Sequence, residues 1–479
     1  MRQYSHLLAV AACPLLLSAC GGGGTAPPPP PGPTAPTITS PASAAVVENA
    51  AGTIYQASAS DPQGDAIVFD LASGSDASAF AITGGGALTF RQAPNFDLPA
   101  DADGNNVYQV TLRATAGGQV ATRDLAITVT NSREGIVVTR IATGLQNPVG
   151  MTLQLEPLRF QSHPVFVIAE KGGRVLELDG QTGALTELPQ VAANVRPGEI
   201  LDITYVSGQT AFSDGLMLLT HSPSDGILLQ GYSLGSGRRF TRQIALPWSS
   251  PVEGTLFTGS GIGRSIAAIG DPSGERAQDP ASGYGKLFSI EPGDPYAGAS
   301  VPSGLVYDVR VIGSGIRAPS GGGRFNEQVL LADQGGSEEQ ELSLFDDQGD
   351  SVNLGWPFFE GTTLVRNVAT PSTLLPFLAY DFGTGPRQGI GIVAGVGYSG
   401  NAPGIRGHYV FGDRNGSIFS IPYDQLTNSA FVGPSRIELR THDFVPDVGT
   451  IDSPVAFVLS FQVLFILDSD GEVFRVTET

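Results

Sequence analysis

The stretch His408-Tyr409-Val410-Phe411-Gly412-Asp413, turned over by Arg414-Asn415 and answered by Gly416-Ser417-Ile418-Phe419-Ser420-Ile421, decides the fold. A β-compatible apolar run ends in an acid, the chain reverses, and a second apolar run returns. Asn and Gly tolerate the left-handed backbone that a tight hairpin needs, so the pattern predicts paired antiparallel strands. The same unit recurs at 463–468 with 471–476, at 165–170 with 173–178, and at 328–333 with 341–345. Looser copies stand at 216–220 with 226–232 and at 265–269 with 286–290. Helical periodicity is hardly seen over a comparable length. Six hairpin pairs spread over residues 135–479 predict a six-bladed β-propeller, whose radial closure lets many short sheets coexist without open edges.

Upstream, residues 38–134 carry shorter runs of the same β character. Side chains alternate along Val107-Tyr108-Gln109-Val110-Thr111-Leu112-Arg113 and along Leu125-Ala126-Ile127-Thr128-Val129. With Gly, Asp and Pro between the runs, this reads as a small antiparallel β-sandwich. The expected fold class is therefore all-β, a sandwich followed by a propeller. Residues 20–37 are Gly-rich and then Pro-rich, with Pro27 to Pro31 consecutive, which is the composition of an extended spacer. Residues 1–19 combine Arg2 with an apolar stretch from Leu7 to Leu17, the layout of a signal peptide and too short to span a bilayer.

That leader ends in Leu17-Ser18-Ala19-Cys20, which resembles the lipobox of bacterial lipoproteins. The resemblance implies lipidation of Cys20, palmitate among its acyl chains, and attachment to a bacterial membrane. Gly21 after the cysteine resembles the outer-membrane sorting pattern, so a periplasmic or surface-exposed protein is expected. The alternative reading is a secretory peptide cut after Ala19. The only other cysteine is Cys13, so no disulfide is expected in the mature chain.

The net charge is −20, from 26 basic and 46 acidic residues, and Lys171 and Lys286 are the only lysines. Such a field repels phosphate backbones, which excludes nucleic acid as a partner. Calcium, cationic surfaces and neutral carbohydrate are compatible with it. The sequence lacks a Cys-x-x-Cys-His haem site, a glycine-rich nucleotide loop and a Gly-x-Ser-x-Gly elbow.

Residues 38–131 resemble a bacterial cadherin-like repeat. The matching pieces are Val47-Glu48-Asn49, Ala59-Ser60-Asp61-Pro62-Gln63-Gly64-Asp65, Ser75 to Ile82 and Ala93 to Tyr108. The resemblance implies calcium at the pole facing the next domain, with Glu48, Asp97, Asp101 and Asp103 as oxygen donors. Arg133, in the junction Thr130-Asn131-Ser132-Arg133-Glu134, is an unfavourable neighbour for a divalent cation. Equally open is the reading that these acids solvate turns.

Residues 135–479 resemble the soluble glucose/sorbosone dehydrogenase family, whose propellers bind the quinone cofactor PQQ. The residues that carry the likeness include Ile141 to Met151, Gly270-Asp271, Gly285 to Ile290, Gly315-Ile316-Arg317-Ala318-Pro319 and Ala332-Asp333-Gln334-Gly335-Gly336. Asn353-Leu354-Gly355-Trp356-Pro357, Glu360-Gly361 and Gly395 to Gly400 extend it. In that family a histidine base precedes the strand leading to the Gly-Asp pair. Here the interval reads Ser249-Ser250-Pro251-Val252-Glu253-Gly254-Thr255-Leu256-Phe257, and no histidine lies between His221 and His408. Glu253 is the nearest replacement, and a carboxylate needs burial to become an effective base. Arg317, Arg414 and Gln334 fall where the family meets PQQ carboxylates. A structural ion pair is the other role open to Arg317. Asp333 and Glu341, with Asp346, fall near the family's calcium loop, where Glu338 and Glu339 read equally as a solvated loop. Asp271 reads as a turn or channel residue, and Trp356 as a buried anchor or a rim ring that stacks on sugar.

Three functions follow as expectations. The first is a membrane-anchored lipoprotein with a sugar dehydrogenase-like propeller, degenerate at its base and kept for carbohydrate, calcium or protein binding. The second is an active PQQ-dependent aldose or alcohol dehydrogenase with a substituted base. The third is a calcium-dependent adhesive or scaffolding protein.

Overall fold

The computed structural model describes residues 32–154, 163–192, 198–206, 215–233, 239–245, 252–259, 264–292, 307–367, 372–427 and 431–479. The expected leader, Cys20 and most of the spacer lie outside the described residues.

The first unit is the expected sandwich, except that its edge strand Ser43–Val47 pairs parallel rather than antiparallel to Gln119–Thr130. One sheet orders Ser43–Val47, Gln119–Thr130, Val107–Ala116 and Val68–Ser73, and the facing sheet orders Tyr55–Gln56, Ala87–Phe90 and Phe80–Ile82. The alternation read from residues 107–113 is the one observed: Tyr108, Val110 and Leu112 point inward while Gln109 and Arg113 face water. Period-two alternation leaves one face of each strand apolar, and these faces meet around Phe80, Leu88, Leu125 and Ile127. Phe80, Phe90 and Tyr108 pack with ring centroids 4.4 to 5.7 Å apart.

The second unit is the propeller. Blade I is built on Pro148–Leu153 and Val165–Glu170, blade II on Glu199–Val206 and Gly215–Ser222, and blade III on Gly254–Thr258 and Ser265–Ile269. Blade IV is built on Pro319–Phe325 and Gln328–Asp333, and blade V on Ile392–Tyr398 and His408–Asp413. Blade VI joins Pro454–Ser460, Val463–Asp468 and Val473–Glu478 to Ile136–Ala142, the strand that opens the propeller. The ring is thus closed by backbone hydrogen bonds between the two ends of one domain, and the six innermost strands neighbour one another around a central channel.

The second strands of the blades are buried on both faces, which is why they read as continuous apolar runs. Their side chains fill the wedges between blades. At the closing seam Phe465 and Leu467 of blade VI pack on Phe166 and Ile168 of blade I. Since Phe465 is 1% exposed and its ring centre lies 4.6 Å from that of Phe166, Phe465→Ala opens a cavity at the seam. Chemical denaturation is expected to show a loss of about 3–5 kcal/mol. Phe461, 72% exposed in the turn of the same hairpin, is the control, and its alanine variant should stay within about 0.5 kcal/mol of the parent.

Candidate functional site

One end of the channel is shaped by a repeated device. In blade I, Pro148 opens the innermost strand and pairs with Glu170, the last residue of the second strand. Pro319 pairs in the same way with Asp333, Ile392 with Asp413, and Pro454 with Asp468. Each acid then turns back onto amides of the segment that enters its own innermost strand. Glu170 accepts from Gln146 N at 2.8 Å, and Asp333 from Arg317 N and Ala318 N at 2.8 and 2.6 Å. Asp413 accepts from Ile390 N at 2.9 Å, and Asp468 from Asp452 N and Ser453 N at 3.1 Å each. A strand opened by proline has no amide hydrogen to give its neighbour there, and the register slips one or more residues later. The buried carboxylate satisfies the amides this irregular entry leaves over.

The channel encloses about 960 Å³, and its lining includes Lys171, Asp202, Glu253, Phe257, Arg324 and Arg414. Glu253 and Arg414 face each other at 3.5 Å, both partly exposed. Gln334 joins them: with its amide oxygen turned to Arg414, it accepts from Nε and an Nη at 3.1 and 3.2 Å. Arg317 is one step further from the channel and is not part of its lining. Its Nη1 donates to Gln334 O at 3.0 Å, its Nε lies 3.9 Å from Glu360, and its guanidinium stands 5.4 Å from the Trp356 ring centre. A side chain on Gly336 would come within 2.7 Å of that guanidinium and would push this flexible tip aside. Three of the four residues expected at the mouth therefore touch in sequence, and Arg317 connects to them through the Gln334 carbonyl.

Of the metal set expected in the propeller, Asp333 and Glu341 stand side by side and Asp346 stands apart. Both oxygens of Asp333 are taken by backbone amides, as described, and burial pushes its carboxyl up to about 6. Glu341, directly across the ladder from Asp333, accepts from Gly361 N at 2.7 Å. Burial, then the charge of Asp333, raises it well above the ordinary range. Asp346 lies past the far end of the strand Glu339–Phe345 and accepts from Gln348 N in its own turn. Glu338 is exposed, the solvated-loop reading. Trp356 is the buried anchor, its indole N–H donating to Asp271 O at 2.7 Å, and Asp271 is a buried turn residue that accepts from Arg276 N.

The calcium set expected at the sandwich pole is likewise divided. Glu48 accepts from Phe96 N at 3.0 Å and Ser132 N at 2.9 Å, and Asp101 from Asn105 N and Asn106 N. Asp103 is exposed and takes Asn105 Nδ2. Asp97 pairs with Arg440 of the propeller at 2.7 Å while still feeling the charge of Glu48. The partners these acids have here are backbone amides and, for Asp97, an arginine. Among the described residues, the acidic triples close enough to share an ion are Asp97, Glu134 and Asp443, and Asp452, Asp468 and Asp470.

Asp202 was not anticipated. It stands in the apolar run Ile200-Leu201-Asp202-Ile203, and that interruption was its only sequence signal. Its carboxylate accepts from Ile203 N at 2.7 Å and, across the blade boundary, from Thr255 Oγ1 and Leu256 N at 2.8 Å each. A side chain on Gly150 of blade I would come within 2.1 Å of Oδ1, so the acid is wedged among three blades at the channel wall. Burial, opposed by these hydrogen bonds, pushes it up to about 7.

The chain matches no protein-family model and no curated protein. Among solved structures it is similar to a glucose dehydrogenase, at 17% identity and TM-score 0.51, over 72% of this chain and 100% of that one. The apo form of a soluble aldose sugar dehydrogenase from Escherichia coli aligns at 16% identity and TM-score 0.51, over 72% and 100%. Likeness at this identity carries the propeller architecture and not the chemistry of the site.

The folded Asp202 keeps its proton from 3.8 up to about 7 while the unfolded chain releases it, so this group makes stability fall as pH rises through that window. Below the window both states are protonated and the contribution is flat. Melting temperature measured across this range should decline with pH, and Asp202→Asn should flatten the slope.

Proposed function

We propose that this is a membrane-anchored lipoprotein whose sugar dehydrogenase-type propeller no longer supports quinone oxidation and serves to bind neutral carbohydrate at its channel. The observation that carries this reading is the contact between Glu253 and Arg414 at 3.5 Å, extended by Gln334. The nearest replacement for the base and one of the three cations that line the channel face each other as an ion pair. PQQ presents three carboxylates, and holding them requires guanidinium or ammonium groups with donors to spare. Arg317 gives Nη1 to Gln334 O, stands beside Trp356 and lies outside the channel lining, with its Nε lacking a hydrogen-bond partner among the described residues. Lys171 faces Glu199 at 3.4 Å and Arg324 faces Glu327 at 3.4 Å. Lys286 gives its ammonium to the carbonyls of Arg276, Ala277 and Tyr284. Each described cation that lines the channel already faces an acid, an arrangement that suits the three carboxylates of PQQ poorly. Internally paired charges suit an uncharged polyhydroxylated ligand, and a channel of about 960 Å³ lies at the upper end of ordinary ligand pockets.

A second reading, oxidation with a substituted base, has one observation in its favour. Asp202 holds a carboxyl near 7 at the channel wall, the range in which a general base works.

The full chain, given PQQ and calcium, is expected to reduce no dye with any aldose in a panel. Glu253→Gln should strengthen PQQ binding several-fold by freeing Arg414, since a pair this exposed is worth at most about 1 kcal/mol. Turnover that disappears in Glu253→Gln or Asp202→Asn would replace the first reading with the second. Cys20, outside the described residues, is proposed as the anchor. Labelling with a palmitate analogue should mark the wild type and not Cys20→Ala, and the labelled protein should fractionate with membranes.

A further inference from the structure

Sandwich and propeller meet around one side chain. Arg440, in the propeller, is 3% exposed, and its Nη1 lies 2.7 Å from Asp97 of the sandwich and 3.2 Å from Asp443 of the propeller. The same nitrogen contacts Glu134 of the connecting segment. Nη2 donates to Glu438 at 2.7 Å and to Gly404 O at 2.9 Å, and Nε donates to Ser420 Oγ at 3.2 Å. Asp97, Glu134 and Asp443 are one of the two acidic triples whose oxygens converge closely enough to share an ion. The point on which they converge is the position of Arg440 Nη1.

The surrounding contacts tie the same place to both units. Leu439 N donates to Asp97 O at 3.0 Å, and Arg387 Nη2 donates to the same carbonyl at 2.6 Å. Asn95 of the sandwich reaches Glu438 at 3.1 Å, and Asn49 reaches Glu134 at 2.6 Å. Phe96 packs edge-on against His442 with ring centres 5.5 Å apart.

We infer that Arg440 is a built-in cation at this junction, so that the propeller supplies what the acidic pole of the sandwich would otherwise draw from solution as calcium, and the two units are coupled without metal. A divalent ion and a guanidinium nitrogen cannot occupy one point, and expelling the arginine would leave its charge buried or force it into water against its other acceptors. A planar guanidinium also meets its six acceptors in fixed directions, which orients one unit on the other as a spherical ion cannot. Asp97 Oδ1 and Asp443 Oδ1 are buried without a hydrogen-bond partner among the described residues, so the cage retains acceptors that a metal could use once the arginine is gone. This inference concerns the junction and stands apart from the reading of the channel.

Limited proteolysis of the connecting residues 131–135 in the full chain reads the coupling directly. Wild type is expected to be equally protected in EDTA and in excess calcium. In Arg440→Ala, protection should be lost in EDTA and restored by calcium, as the emptied cage of Asp97, Glu134 and Asp443 takes the ion. Should that variant fail to fold, Arg440→Lys decides the matter, because one ammonium at the same point should keep the segment protected in EDTA. Calcium-dependent protection in wild type overturns the inference, as does full protection of Arg440→Ala in EDTA.

Discussion

The propeller depends on how each blade enters its innermost strand. A strand that starts abruptly at the channel leaves backbone amides without ladder partners, and buried amides must be paired. Blades I, IV, V and VI resolve this with an acid at the end of the neighbouring strand: Glu170, Asp333, Asp413 and Asp468. The carboxylate costs desolvation, visible in the values of about 6 for Asp333 and Asp468, and the amide hydrogen bonds offset part of that cost. Because the acid and the entry segment belong to the same blade, the device fixes the rim of the channel locally, blade by blade.

The same economy governs the rest of the molecule. A chain of net charge −20 has few cations, and those that approach buried acids are held there. Arg414 is held by Glu253 and Gln334, Lys286 by three carbonyls, and Arg440 by the acids of the domain junction. Burial lowers the basicity of Arg440, but Glu438, Asp97 and Glu134 more than reverse this and keep it charged. Glu438 is held at about 2, since His408 and Arg440 outweigh the burial that would raise it. Acids that resembled metal ligands and cations that resembled a cofactor cradle thus also make contacts that hold the fold.

Much of the architecture was legible in the chain. The hairpin pattern around Asp413 and Asp468 announced both the blades and their number, because two-sided burial writes itself as uninterrupted apolar runs. The alternation at 107–113 announced the sandwich for the opposite reason, one wet face and one dry. The convergence of Glu253, Arg414 and Gln334 was legible only through likeness to a family. What each acid touches was not legible at all. Asp333 and an acid that binds metal look identical in sequence, and the difference lies in whether amides of Arg317 and Ala318 or an ion reaches the oxygens first. Asp202 was missed because one acid inside a β run says nothing of the neighbouring blades that enclose it.

Sequence by itself determined the all-β class, the order of sandwich and propeller, and the charge balance that disfavours nucleic acid. These follow from periodicity and composition, which are local or additive properties. The tertiary structure alone decided that Asp97 belongs to Arg440, 343 positions away, and that Glu253 faces Arg414 across the channel. Closing a ring brings together residues from different blades, and a carboxylate's role is set by whichever donor that closure places within about 3 Å of it.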